Sequence, residues 1–209
     1  MEFAEVVRRR RMVRRFADEP VERSVLERIA AAAQRTPSAG FSQGQRLVVV
    51  TEPEGRRAVA AAVGEAEYVA AGYAPWVSEC AAVFIPCVSE GVYHDRYREP
   101  DKVDDDGSEI VWPTPYWWMD VGCTVQMILL ATVDEGLAAG FAGARDVDAL
   151  RRAVGIPGEF HPVGAIPVGA PLPDKRSPSL ARGWRGLDEF VRWEAWDDPS
   201  FDPSAKARL

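Results

Sequence analysis

The segment DVGCTVQMILLATVDEG at 120–136 constrains the fold more than any other part of the sequence. Its composition predicts one helix that is apolar nearly all round, with Asp120 as its N-cap and Gly136 as its C′ residue. A helix of this kind must be buried on most sides, in a core or in a subunit interface. The rest of the chain therefore has to supply elements that cover it.

Short elements of both kinds flank this helix in the sequence. Three β-branched or apolar runs predict buried strands, at 47–51, 81–88 and 163–171. Helices are predicted at 2–11, 21–35, 54–63 and 146–154. Ser24 and Glu27 could form a capping box, which would start the second helix a few residues later. We therefore predict an α+β fold, a small sheet among helices, in a single domain over 1–209.

Charge and cysteine content argue against several classes of function. The formal net charge of −7 is wrong for a general nucleic-acid-binding protein, and no apolar run is long enough to cross a membrane. Cys80, Cys87 and Cys123 form no C-x-x-C pair, which indicates reduced thiols in a cytoplasmic protein. The two histidines, His94 and His161, fit no metal-ligand pattern, so no metal site is expected.

One strongly basic stretch interrupts this acidic chain. VVRRRRMVRRF at 6–16 places six arginines in eight consecutive positions. Neither common glycine-rich phosphate motif is present, so a bound phosphate would have to be held by cations, and guanidinium offers bidentate geometry. The run alone also fits a solvated helix face, a lipid-binding patch or a nucleic-acid arm.

Two segments lack a lasting period. Residues 89–118 are polar and aromatic with three prolines, and their length is typical of a functional loop. Within them, the acidic stretch 101–107 is expected to stay solvated and mobile. The last forty residues are predicted to be extended, and their large aromatic side chains favour packing on this subunit or on another one; these are Trp184, Trp193, Trp196 and Phe201.

Four ordered segments resemble the nitroreductase family of flavoenzymes. RRMVRRF (10–16) is similar to the family's opening motif, and TPSAGFSQGQRLVVV (36–50) to its Pro-Ser-Ala/Ser-Gly-Asn-Ser-Gln-Pro-Trp-Arg-Phe pattern. The helix at 120–135 followed by EGLAAGFAGA is the third, and the tail RGWRGLDEFVRW (182–193) is the fourth. The resemblance spans nearly the whole chain, and the segments at 89–118 and 174–185 look most like an actinobacterial branch.

The resemblance implies an intertwined homodimer on a small central antiparallel or mixed sheet, with an extended C-terminal arm over 172–209. One FMN would lie at each subunit interface. Its phosphate would be held by Arg10, Arg14, Arg182 and Arg185, with Arg11 near the ribityl chain and the phosphate, and Met12 would be a further cofactor-binding residue. The turn of the second subunit would supply Pro37, Ser38, Ala39, Phe41 and Gln43. No catalytic side chain is identified, and the backbone of Phe141, Ala142 and Gly143 would approach flavin N5 and the C4 carbonyl.

The chain departs from the family pattern near these positions. Phe41 stands where Asn is usual, Gly44 where Pro is usual, Gln45 where Trp is usual and Met12 where Ser is usual. Cofactor tuning or substrate choice is therefore expected to differ. The variable segment 89–118 is expected to form a wall over the open flavin face, and the substrate-contacting side chains would be Phe41, Tyr93, His94, Tyr97, Trp112 and Tyr116.

The resemblance implies an FMN-dependent oxidoreductase. It would take hydride from NADH or NADPH onto flavin N5 and pass electrons to a nitroaromatic, a quinone or a related small aromatic acceptor. Other readings remain open: an FMN-dependent oxidase or dehydrogenase, a flavin-fragmenting enzyme resembling the benzimidazole synthase of cobalamin biosynthesis, and a non-enzymatic flavin carrier. A further reading is an interaction module that uses the arginine run on nucleic acid or lipid. Neither a nucleic-acid partner nor a membrane partner is expected.

Overall fold

The computed structural model describes residues 1–175 and 177–196. Within these residues, the central element of the fold is a five-stranded antiparallel sheet with the strand order β1-β2-β5-β3, in which β4 also pairs with β2. Its strands are β1 (Gln45–Val50), β2 (Ala82–Val88), β3 (Ala138–Ala139), β4 (His161–Pro162) and β5 (Ile166–Gly169). The three predicted strands are therefore confirmed, and β3 and β4 are short additions.

Seven helices surround this sheet in the described part of the first unit of the chain, Met1–Asp174. They are α1 (Phe3–Arg9), α2 (Arg23–Gln34), α3 (Pro53–Ala62), α4 (Glu65–Ala70), α5 (Glu90–Tyr97), α6 (Tyr116–Asp134) and α7 (Val147–Ala153). The predicted α+β class, an antiparallel sheet flanked by helices, is confirmed.

Strand β2 forms the middle of a three-layer arrangement. All of its residues are buried, because strands pair with both of its edges and helices cover both of its faces. Val83, Ile85 and Cys87 point into a core shared with α3 and α7. Ala82 and Phe84 point to the other side, into a core shared with α2 and α6. The alternation follows from the two-residue period of a strand.

Helix α6 is longer than the sequence indicated. It begins at Tyr116, so the prediction that Asp120 is its N-cap is wrong: Asp120 lies inside the helix and is buried. Gly136 has a φ of +77°, which confirms it as the left-handed residue after the helix. One side of α6 packs on α2 and the sheet, whereas Met119 on the other side is 56% exposed.

Two further expectations fail for local reasons. The capping box of Ser24 and Glu27 does not form, because α2 already begins at Arg23 and its N-cap, Glu22, makes no side-chain cap. The segment 89–118 is not irregular throughout, since α5 occupies Glu90–Tyr97. That helix carries so many polar residues that its apolar face is too short for a periodicity to be recognised.

The cysteines are free thiols, as expected. Cys80 and Cys87 are buried, and burial raises the pKa of each thiol to about 12. Cys123 is exposed on α6. None of the described helices combines the length and the apolarity needed to cross a membrane.

The second unit, Lys175–Leu209, falls within the segment predicted as an arm. Its described residues include a 3₁₀ helix, Pro178–Arg182, and the short helix α8 (Leu187–Phe190), so they are not wholly extended. The side chains of Trp184, Trp193 and Trp196 are exposed, and Trp184 is 93% exposed. Phe201 lies outside the described residues.

Candidate functional site

The arginine-rich segment continues beyond α1 as extended chain at the edge of the sheet. Met12 forms a parallel bridge with Ala139, and the N–H of Val13 donates to the Ala139 carbonyl at 3.0 Å. Phe16 bridges Pro171 further along. The structure therefore brings two of the sequence motifs together, the basic segment at 10–16 and the glycine-containing segment that begins at β3.

Five of the six arginines of this run fall into two groups, and the sixth, Arg15, donates from Nη1 to the Pro173 carbonyl at 3.4 Å. On α1, Arg8 and Arg9 both bond to Glu5, at 2.7 and 2.5 Å. In the part of the chain that the structure describes, the guanidinium groups of Arg10, Arg11 and Arg14 have no hydrogen bond and no carboxylate partner. Three positive charges without an internal counter-ion therefore lie close together on an extended segment, which favours an external anion.

Arg14 is held more firmly than its neighbours. Its backbone N–H donates to Asp174 at 2.8 Å, and its guanidinium carbon lies 5.5 Å from the centre of the Trp76 ring. The cation and the ring face attract each other, which orients the guanidinium. Arg14 is half-buried, whereas Arg11 and Met12 are exposed.

Sequence reasoning missed the support beneath Arg14. Trp76 is fully buried, and a Cβ added to Gly140 would lie 2.6 Å from its ring. The buried carboxylate of Glu65 accepts the backbone N–H groups of three consecutive residues, Trp76 at 2.7 Å, Val77 at 2.5 Å and Ser78 at 3.1 Å. No local pattern marks Glu65, because one more glutamate in an acidic helix carries no periodic signal.

Several backbone donors of the segment after β3 make no hydrogen bond among the described residues. The N–H groups of Gly140 and Ala142 bond to Pro167 and Ala165, at 3.1 and 2.9 Å. The N–H of Gly143 makes no hydrogen bond within residues 1–175 and 177–196, and a Cβ added there would meet nothing within 4 Å. Gly143 therefore offers a donor and free space for a ligand edge.

The turn that follows α2 has an unusual backbone. Gly40, Phe41 and Gln43 have φ values of +59°, +56° and +52°. Two of these three are not glycine, and such left-handed residues persist only where the surroundings hold them, often at functional sites. The Phe41 side chain is 75% exposed. Ser38 stabilises the turn, since its hydroxyl accepts the N–H of Gln43 at 2.9 Å.

A groove of about 570 Å³ opens beside this turn. Its walls come from the C-terminal half of α2, from the start of β1 and from α6, and its polar lining residues are Glu27, Gln34, Thr36, Gln43, Gln45, Arg46 and Thr124. Of the predicted cofactor residues, Gln43 lines it. Pro37 is exposed, and Ser38 and Ala39 are half-buried.

Comparison with known families decides the assignment. Residues 7–170 match the model of the Nitroreductase family. The chain belongs to the nitroreductase family. Family membership supports an oxidoreductase activity, and the matched range contains the basic segment, the turn at 37–43 and the segment around Gly143.

Solved structures of nitroreductase-family proteins have the same fold. A family protein from Streptococcus pneumoniae is 18% identical, with a TM-score of 0.70 over 91% of this chain and 99% of that one. A family protein from Clostridium difficile is 22% identical, with a TM-score of 0.67 over 93% of this chain and 99% of that one. At these identities the likeness is one of fold. The narrower placement in an actinobacterial branch stays a prediction.

One curated relative resembles this nitroreductase-family chain over most of its length. It is the 5,6-dimethylbenzimidazole synthase of Rhodobacter capsulatus, which is 26% identical over 191 residues in an alignment that covers 88% of this chain and 90% of that protein.

Five of the six predicted substrate residues of this nitroreductase-family chain lie in one packed aromatic cluster, in which Trp117 joins Tyr93 to the others, whereas Phe41 is 75% exposed at the turn. Trp112 is its hub, with ring centres 4.4 Å from Tyr97, 5.9 Å from His94 and 6.1 Å from Tyr116. Tyr93 is fully buried, and burial together with its hydrogen bond to Asp120 raises its pKa. Tyr93 therefore packs in the core of the chain, and its contact with a substrate stays a prediction.

His94 links this cluster to the loop after α5. Its Nδ1 pairs with Glu109 and its Nε2 lies 3.3 Å from Glu90, and Glu109 also accepts Trp112 Nε1 at 2.6 Å and Arg98 Nε at 3.0 Å. The bond to Glu109 raises the pKa of His94, and the bonds from Trp112 and His94 lower the pKa of Glu109.

We expect His94 to stabilise the fold in a limited pH window. Its contribution is complete below the unfolded pKa of about 6.5 and is lost as the pH rises through the higher folded value. The contribution of Glu109 is present above its unfolded pKa of about 4.3 and is lost as the pH falls through the lower folded value. Thermal melts should therefore show a gap of a few degrees between His94→Gln and the native protein near pH 5.5, and a smaller gap near pH 8.5, where only the ring packing is lost. A gap that does not depend on pH would mean that only ring packing is lost.

The two arginines predicted from the last motif lie in the second unit. Arg185 pairs with Glu189 at 2.7 Å, and Arg182 is exposed at the end of the 3₁₀ helix. Their role at a phosphate stays a prediction. Among the described residues, no group of three or more His, Cys, Asp or Glu side chains is placed to hold a metal ion.

Proposed function

We propose that this chain is an FMN-dependent oxidoreductase that uses NADH or NADPH to reduce a nitroaromatic, a quinone or a related small aromatic acceptor. The observation that carries this proposal is the group of three arginines without carboxylate partners among the described residues, Arg10, Arg11 and Arg14. They lie on a segment that pairs with the chain leading to Gly143. The phosphate of FMN needs cationic groups, and the polar edge of its ring needs a hydrogen-bond donor such as the Gly143 N–H. The two kinds of group therefore have to lie side by side.

The arginines suit the phosphate of FMN. Arg14 is half-buried and oriented by Trp76, so little of its side-chain freedom is left to lose when it binds an anion. Arg10 and Arg11 add charge on the same extended segment. Each charge-assisted hydrogen bond of this kind contributes about 1.5–3 kcal/mol. Arg182 and Arg185 are proposed as further phosphate ligands from the last motif.

The backbone near Gly143 suits the ring. When bound, FMN supplies hydride acceptance and donation at its N5. The open N–H of Gly143 would hydrogen-bond the ring edge, where negative charge develops on reduction, and a fixed donor stabilises that charge without reorganising. Phe141 and Ala142 position this donor, because Ala142 is tied to Ala165.

We propose that the protein is a homodimer with each FMN at the subunit interface. The turn at 37–43 is hydrogen-bonded to α5 and α6, whereas the basic segment is bonded to β3 and to the end of the first unit. A second copy would bring its turn to the basic segment of the first. Such a copy would cover apolar side chains that are exposed in the single chain. The Phe3 side chain of α1, for example, is 71% exposed.

The curated relative favours a second candidate. The 26% identity to a 5,6-dimethylbenzimidazole synthase over 191 residues supports flavin-fragmenting chemistry in a biosynthetic pathway as the alternative. Mass spectrometry for a dimethylbenzimidazole, after aerobic incubation with FMN and a reductant, would identify that activity.

The decisive experiment is anaerobic reduction. Purified protein should carry a yellow flavin that denaturation releases as FMN, and NADH or NADPH should bleach it rapidly without oxygen. Adding a nitroaromatic or a quinone should restore the colour. A colourless protein that ignores added FMN would rule out the proposal, and a yellow protein that neither nucleotide bleaches would favour the biosynthetic alternative or a carrier.

The dimer has its own test in the second unit. Light scattering should give about twice the chain mass of 23.0 kDa. Truncation after Gly186 removes α8 together with Trp193 and Trp196, and should weaken the dimer and release flavin because exposed aromatic side chains of this size supply large contact areas. Truncation after Trp196 is the control and should preserve both. A truncated monomer that retains FMN would contradict the interface site.

A further inference from the structure

Helix α5 presents one face to the turn at 39–44. Tyr93, Arg96 and Tyr97 follow the spacing i, i+3 and i+4, so they share one side of the helix. Arg96 Nε donates to the Gly40 carbonyl at 3.0 Å. The Tyr97 ring lies against Gly40, where an added Cβ would be 2.7 Å from Cε2. The turn therefore rests directly on the variable segment of the chain.

Asp120 connects the same turn to α6. Its Oδ2 accepts the N–H of Ala39 at 2.9 Å and the hydroxyl of Tyr93 at 2.8 Å. The carboxylate and the tyrosine are both buried, so neither bond competes with bulk water. This role explains why an acidic residue lies inside an apolar helix.

Gly44 completes the contact. A Cβ at this position would overlap the ring of Tyr93, and the Gly44 carbonyl accepts the N–H of Ser89 at 3.1 Å. The requirement for glycine is steric, because Gly44 is absent from the positive-φ residues. Tyr93 thus occupies the space that any larger residue at 44 would need.

The direction of Arg96 is set by a second partner. Its Nη1 and Nη2 donate to the two carboxylate oxygens of Asp101, each at 2.7 Å. This bidentate pair leaves Nε to face Gly40. The acidic stretch at 101–107 is therefore anchored at its first residue.

We propose that Arg96, Tyr93 and Asp120 are positioning residues that hold the turn so that Phe41 and Gln43 face the cofactor. The inference rests on the proposed function, in which this turn lines the FMN site of a second copy. Phe41 and Gln43 have left-handed backbone that a loosely held turn would abandon. In this arrangement, segment 89–118 supports the turn on the side opposite the cofactor.

Hydrogen exchange of the full-length protein tests the support directly. In Arg96→Met, the amides of 39–43 should exchange about tenfold faster than in the native protein, with and without saturating FMN, because the loss of one charge-assisted bond raises the open population. Arg98→Met is the matched control. Arg98 lies on the same helix end and pairs with Asp95 and Glu109, so its loss should leave the turn unchanged.

The flavin readout separates positioning from general stability. FMN should bind Arg96→Met about tenfold more weakly, and its visible spectrum should shift, whereas both should be native in Arg98→Met. Asp120→Asn retains an acceptor oxygen and should be closer to native than Asp120→Ala in both measurements. Unchanged exchange in Arg96→Met, or faster exchange with native FMN affinity and spectrum, would overturn the inference. A native protein that binds no FMN, with faster exchange in Arg96→Met, would refute the proposed function while the support of the turn by Arg96 stands.

Discussion

Replacing Arg14 by alanine is expected to weaken FMN binding about 30- to 150-fold, which corresponds to roughly 2–3 kcal/mol. Arg14 combines the features of a phosphate ligand: it is half-buried, it lies 5.5 Å from the Trp76 ring centre, and its guanidinium has no carboxylate partner among the described residues. Riboflavin lacks the phosphate and should lose far less affinity. Fluorescence titration of both flavins measures the difference.

Two variants sharpen this test. Arg8→Ala removes an arginine from the same run, but that arginine is exposed and already bonded to Glu5, so little change is expected. Arg14→Lys keeps the charge without the bidentate fork and should fall between the native protein and the alanine variant. Equal losses for FMN and riboflavin in Arg14→Ala would mean that Arg14 supports the fold rather than the phosphate.

Replacing Glu65 by alanine is expected to lower the free energy of unfolding by about 3 kcal/mol or more. The Glu65 carboxylate is buried and accepts three backbone N–H groups, and its second oxygen accepts the Ser78 hydroxyl at 2.5 Å. Its loss leaves buried donors without partners and frees the loop that carries Trp76. Urea unfolding followed by fluorescence gives the value.

Glu67 provides the matched control for this measurement. It lies on the same helix, is exposed and pairs with Arg145 at the surface, so Glu67→Ala should cost less than about 1 kcal/mol. Glu65→Gln keeps an acceptor oxygen and should be intermediate. If Glu65→Ala unfolds at the same urea concentration as Glu67→Ala, the carboxylate is not the anchor of the Trp76 loop.

These two residues differ in how far they could be recognised beforehand. Arg14 belongs to a basic run that is conspicuous in an acidic chain, and the resemblance of that run to the family's opening motif selected Arg14 from its six arginines. Glu65 has no such motif, because its role depends on a loop that follows it in the chain and turns back over the helix. The same holds for Asp120, which local rules assigned to a helix cap and the fold uses as a buried acceptor for Ala39 and Tyr93.

Local patterns were sufficient for the strands at 47–51 and 81–88, for the apolar helix that ends at Gly136 and for the basic segment, because hydrophobic period and turn chemistry act between near neighbours. They could not supply the bridge between Met12 and Ala139, the contact of Arg14 with Trp76 or the packing of α5 under Gly40 and Gly44. Those contacts join residues that are distant in the chain, and they form because the sheet register and the helix packing leave one arrangement that buries the apolar faces and satisfies the buried polar groups. Resemblance to the family pattern therefore selected the segments of the candidate site, and three-dimensional packing brought the basic segment next to the chain that leads to Gly143.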